Sequence, residues 1–151
     1  MAFVGHVDRI LRGFGVLKRF GASLDDPSTA PLLIAAWLHD TLEDTTLSRA
    51  EVEANFGAVV AELVWRVTDE PGATRKERKP ATYRKTRENE AAVVLKLADR
   101  IANVEASLIS PDGPLHMYRR EQPDFKQALH SSSSSELATR MWAHLDGLLA
   151  S

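Results

Sequence analysis

Apolar residues recur every three to four positions over most of the chain, the spacing of helices that bury one face. Phe3, Val7, Ile10, Leu11, Phe14 and Leu17 predict a first helix from Phe3 to about Ala22, weakened toward its end by Gly13, Gly15 and Gly21. Asp26-Pro27 reads as a cap followed by a first-turn proline. The unbroken apolar run from Leu32 to Leu38 then predicts a central, core-buried helix ending near Asp44. Ser48 and Glu51 have capping-box spacing, which starts a short helix that Gly57 would end. Val59, Val60, Leu63, Val64 and Val67 predict another, finishing around Thr68. Further helices are expected over Ala91 to Leu108, Leu115 to Leu129 and Glu136 to Leu149. Pro111, Gly113 and Pro114 break the first two apart, and the Ser131–Ser135 run is a linker or turn. No segment alternates with a period of two and no repeat is visible, so the expected fold is all-α.

Between Asp69 and Arg87 the apolar signal fades. The stretch carries seven basic residues (Arg75, Lys76, Arg78, Lys79, Arg84, Lys85 and Arg87) and is expected to be a loop with room for one short helix. At 151 residues the chain is expected to form one domain, with a motif-bearing core over about 3–108 and C-terminal helices over about 115–150. The apolar faces of those last helices either dock on the core or form a homodimer. Trp37, Trp65 and Trp142 sit at apolar helical positions and read most simply as core. His116, His130 and His144 have no partnered motif and read as structural or exposed.

Composition narrows the function classes. A hydrophobic content of 44% with 26% charged residues is ordinary for a globular chain. A net charge of −2 gives no case for bulk nucleic acid or an anionic membrane surface as partner. With no cysteine there is no disulfide framework, thiolate zinc site or cysteine nucleophile. No apolar stretch approaches the roughly 20 residues that span a bilayer. Arg9, Arg12, Lys18 and Arg19 interrupt the early apolar residues, against a signal peptide, so a cytoplasmic location is expected.

The chemistry concentrates where the central helix ends. His39, Asp40, Glu43 and Asp44 fall within roughly one 140° arc of a helix. Burying an imidazole and three carboxylates together costs several kcal/mol, on the order of a charge desolvation, unless something positive compensates it. No lysine or arginine occurs between Arg19 and Arg49, so a metal ion is the economical answer. Asp99 and Asn103 lie four apart on one face of the Ala91–Leu108 helix, where Asp99 can supply a further carboxylate. His6 is the third candidate. Imidazoles and carboxylates without thiolates suit Mn²⁺ first, with Fe²⁺ and Zn²⁺ as alternatives. Such an ion lowers the pKa of bound water. Glu43 or Asp44 could orient that water or take its proton. The plainer reading of the Arg75–Arg87 stretch is a solvated loop.

These residues resemble the HD superfamily of metal-dependent phosphohydrolases, and more closely the hydrolase domain of RelA/SpoT proteins and their small metazoan SpoT homologues. The blocks that carry the resemblance are WLHDTLEDT, FGAVVAELVWRVTDE, ERK and KLADRIAN, in family order over about Leu32 to Ser107. The resemblance implies an HD-domain helical bundle and a Mn²⁺-dependent enzyme that removes pyrophosphate from the 3′ position of guanosine tetra- or pentaphosphate. It implies His39, Asp40 and Asp99 as metal ligands with His6 as the fourth, and Glu43 and Asp44 as the acidic pair acting at the attacking water. Asn103 matches an asparagine lining the nucleotide pocket; Lys96 and Arg100 match basic positions that contact phosphate or the fold. On such a substrate the ion would polarise a phosphoryl oxygen, and the basic stretch, Arg75 and Lys79 included, could neutralise the polyphosphate. Val7 stands where the family's first histidine is normally followed by proline. The alternatives are an HD phosphohydrolase (nucleotidase or phosphodiesterase) acting on another phosphorylated metabolite, and a nucleotide-binding HD module without turnover.

Overall fold

In the computed structural model the described residues are 13–42 and 47–150, with the side chains of residues 40–42 excepted. The expectations for His6, Glu43 and Asp44, and for the side chain of Asp40, lie outside them. All regular structure among the described residues is helical. The first helix, α1, is described over residues 13–19. It is followed by α2 (Ala30–Leu42), α3 (Arg49–Phe56), α4 (Ala58–Val67), α5 (Arg75–Thr86), α6 (Glu90–Ile109), α7 (Leu115–Leu129) and α8 (Glu136–Ala150), with a single 3₁₀ turn, His130–Ser132, before α8.

Helix α6 is the axis of the bundle. It spans 20 residues and packs against α2, α4, α5, α7 and α8. Val93, Leu97, Ala98, Ile101 and Val104 have no exposed surface. Burying a residue of that size stabilises by roughly 1.5–3 kcal/mol, so this helix does most to define the core. The apolar faces of α7 and α8 dock on it rather than facing outward: Phe125, Leu129, Met141 and Leu145 are fully buried and Trp142 is 2% exposed.

Several local predictions hold in detail. Ser48 Oγ accepts from the Glu51 N–H at 3.2 Å, and Gly57 ends α3 with a φ of 91°, a conformation that costs a β-carbon-bearing residue energy. Elsewhere the structure corrects the reading. Asp26 does not begin α2 directly; its carboxylate accepts from the Ser28 N–H and hydroxyl at 2.9 and 2.7 Å, closing a turn ahead of the helix at Ala30. The basic stretch is not mainly loop, because α5 takes 12 of its residues. Thr74 caps it by accepting from the Glu77 N–H at 3.2 Å, and Thr82, Tyr83 and Thr86 bury its inner face.

Two of the three tryptophans are not core. Trp37 is 45% exposed, because Leu33, Ala36 and Leu38 already turn the buried face of α2 away from it. Trp65 is 37% exposed and lies under the Arg49 guanidinium (4.7 Å) and the Lys85 ammonium (4.6 Å), a cation–π arrangement at the surface. His116 and His130 are exposed, as expected; half-buried His144 pairs with Glu105 at 3.2 Å.

Candidate functional site

Helix α2 carries His39 and Asp40 in its last turn, and its flank packs on α6, which carries Asp99 and Asn103. His39 is buried, at 7% exposure, as the apolar run leading into it requires. Asp99 and Asn103 are half-buried one helical turn apart. Of the four expected metal ligands, His39 and Asp99 have described side chains. Among the described residues no three His, Cys, Asp or Glu side chains converge on one ion.

The four basic residues expected near substrate are held by the fold through acidic partners. Lys96 is 5% exposed; its ammonium donates to the Val67 carbonyl at 3.3 Å and stands 3.9 Å from Asp69. Burial pushes this ammonium down from its usual pKa, and the nearby Asp99 charge pulls it back up. Lys79 donates to both carboxylate oxygens of Asp69, at 3.0 and 3.1 Å. Burial pushes the Asp69 carboxyl up, but Lys96, Lys79 and Arg78 outweigh it and hold the group below the usual carboxylate range.

Arg75 and Arg100 share one carboxylate. Glu121 on α7 accepts from Arg75 Nε at 2.6 Å and Nη2 at 3.0 Å, and from Arg100 Nη1 at 2.9 Å. The second Arg100 branch donates to the Tyr83 hydroxyl at 2.9 Å. The Arg100 guanidinium also lies 4.3 Å from the Phe125 ring centre and 4.9 Å from that of Tyr118. Burial raises the Glu121 carboxyl, but the two arginines overcome that and lower it to about 2. Sequence reasoning missed Glu121. It sits in an ordinary amphipathic helix, and its partner Arg75 is 46 residues away, so no local pattern marks the pair.

Where α6 ends and α7 begins, a cleft of about 350 Å³ is lined by Asn103, Ser107, Ser110, Gly113 and Tyr118 among others. Asn103 is the one expected substrate residue on its wall. The cleft is shaped by a close backbone approach: a β-carbon at Gly113 would stand 2.9 Å from Ser107 Cα and 3.0 Å from its carbonyl oxygen. Ser107 in turn donates its hydroxyl to the Asn103 carbonyl at 2.8 Å, which fixes this end of α6.

No family model matches the chain. Over 77 residues it is 43% identical to the guanosine-3′,5′-bis(diphosphate) 3′-pyrophosphohydrolase of Aquifex aeolicus, covering 48% of this chain and 11% of that protein. Over 84 residues it is 39% identical to the human guanosine-3′,5′-bis(diphosphate) 3′-pyrophosphohydrolase MESH1, covering 54% of this chain and 47% of that protein. The fold matches a solved structure described as a metazoan ortholog of SpoT that hydrolyzes ppGpp. The TM-score is 0.70 and the identity 25%, over 96% of this chain and 80% of that one. Over about half of its length the chain is similar to these pyrophosphohydrolases.

The structural likeness agrees with the all-α bundle described above. The match spans about half the length of the human relative and about a tenth of the bacterial one. Among the described residues no helix is long and apolar enough to cross a membrane.

Proposed function

We propose that the chain is a metal-dependent hydrolase that removes pyrophosphate from the 3′ position of guanosine tetra- or pentaphosphate. The observation that carries this reading is the similarity to proteins named for that reaction. It is supported by α2 and α6 packing together with His39, Asp99 and Asn103 on them. His6, His39, Asp40 and Asp99 would hold the ion. A buried imidazole on α2 and a half-buried carboxylate on α6 are the donor types a divalent ion of intermediate hardness takes, so the residues fit the group. Mn²⁺ is the first choice, ahead of Fe²⁺ and Zn²⁺. When bound, such an ion supplies a low-pKa water and Lewis acidity toward a phosphoryl oxygen.

The chain's own residues do the rest. Glu43 and Asp44 would orient the attacking water and take its proton. Asn103 would hold the nucleoside in the cleft. Arg75, Lys79, Lys96 and Arg100 would balance the phosphate charge, their side chains already ordered by Glu121 and Asp69. The reading places the protein in the cytoplasm, acting on a free nucleotide without bulk nucleic acid or membrane as partner. A homodimer is compatible with it but would use surfaces other than the buried faces of α7 and α8.

A substrate panel with Mn²⁺ tests the reading. Pyrophosphate release from a 3′-diphosphate supports it, whereas orthophosphate release from mononucleotides alone replaces it with a nucleotidase.

A further inference from the structure

Exposed apolar side chains are spread unevenly over the molecule. Of the eight large ones exposed among the described residues, four fall on the α3–α4 hairpin and its lead-in: Leu47, Phe56, Val59 and Trp65. Helix α3 has eight residues and buries one side chain, Val52. A helix that short draws its stability from packing rather than from its own propensity, and most of the surface of α3 is uncovered. It packs on α4, which buries Val60, Ala61, Leu63, Val64 and Val67 and turns Val59 and Trp65 outward. Exposed apolar surface concentrated in this way marks an interaction face, and tryptophan, phenylalanine and arginine are side chains that interface centres favour.

The charges among these apolar groups indicate what covers them. The Arg49 guanidinium rests over the Trp65 ring at 4.7 Å, and Glu53 follows Arg49 by one helical turn. Arg66 pairs with Glu62 at 2.9 Å, and Glu51 and Glu53 are exposed. Both signs are interleaved, so a partner of one charge would meet a like charge on this face. A copy of the same face meets its opposite, because two-fold symmetry sets residue i against j and j against i. Arg49, Glu53 and Phe56, spaced by four and then three residues, share one stripe of α3. Antiparallel apposition of two such stripes brings Arg49 of each copy to the partner subunit's Glu53.

We propose that the α3–α4 face is a self-association surface that seats a second copy of this chain about a two-fold axis. Phe56, Val59 and Trp65 supply its apolar contacts, and Arg49 pairs with the partner subunit's Glu53. The pairing is independent of what the site on α2 and α6 hydrolyses.

Sedimentation equilibrium of the full chain over a concentration series reads the association directly. The expected species is a dimer, twice the 16.7 kDa of one chain. Phe56→Glu and Val59→Glu change exposed positions, so both variants should fold, as circular dichroism checks. Each should weaken association at least about thirtyfold, the order of a lost hot-spot contact. Arg49→Glu should weaken it as well, and adding Glu53→Arg to the same chain should restore it, a rescue that a merely structural role for Arg49 would not produce. A monomer at every concentration overturns the assignment and leaves the face to a protein of different sequence. A dimer indifferent to Phe56→Glu and to the Arg49–Glu53 exchange overturns it too, by placing the interface elsewhere.

Discussion

Glu121 on α7 grips the Arg75 guanidinium on α5 at two points, Oε2 to Nε at 2.6 Å and Oε1 to Nη2 at 3.0 Å. A planar guanidinium facing a carboxylate in this way is the strongest side-chain pairing the residue types allow. Oε1 also accepts from Arg100, so a single carboxylate ties three helices together.

This pairing has a pH signature. The Glu121 carboxyl, ordinarily near 4.5, is held at about 2 in the folded protein. A carboxyl whose pKa is depressed on folding contributes its full stability above the unfolded value and loses it as pH falls through the folded one. The wild type should therefore lose part of its stability between about pH 4.5 and pH 2 that Glu121→Gln lacks at every pH. At neutral pH the variant should be less stable by roughly 2 kcal/mol. Denaturant titrations at several pH values check both points; parallel pH dependence in the two proteins would refute the pairing's role.

The approach of Gly113 to Ser107 leaves no room for a methyl group. Gly113→Ala should cost about 1–3 kcal/mol and deform the cleft wall, because the obstacle is backbone rather than a movable side chain. A crystal structure or thermal melt of the variant that is indistinguishable from wild type would contradict this.

Local capping is testable where it was read directly from sequence. Removing the Ser48 hydroxyl that accepts from Glu51 should destabilise by about 1 kcal/mol on Ser48→Ala, and Ser48→Asp should restore most of it. Equilibrium unfolding of the two variants decides the matter.

The catalytic assignment makes a different demand. Glu43→Gln should retain metal, measured by elemental analysis, while kcat falls about 100-fold or more as the proton acceptor is lost. Full activity in that variant would remove the role given to Glu43.

What the sequence made legible follows from how local each signal is. The start of α3 at Ser48, its end at Gly57 and the extent of α7 depend on residues within one turn, and each was readable. Helix α5 was hidden because its inner face is built from Thr82, Tyr83 and Thr86 and from ion pairs, so apolar periodicity is silent there. The Thr74–Glu77 cap was the signal that could have found it. Trp37 and Trp65 are not core because an apolar residue on a helix does not state which way it faces; both keep more than a third of their surface exposed. At the site, His39 and Asp99 stand out by motif and burial. Glu121 gains meaning only when α7 folds back over α5 and α6, across separations that no sequence window spans.

The central claim is that α2 and α6 together carry a metal-dependent pyrophosphohydrolase site. Its most direct test is hydrolysis of guanosine tetraphosphate with Mn²⁺, products resolved by chromatography, with Asp40→Ala as the blank. The account predicts GDP and pyrophosphate from the wild type and neither from Asp40→Ala, which should also lose its metal. An absence of product from metal-loaded wild type, or equal product from Asp40→Ala, would contradict it.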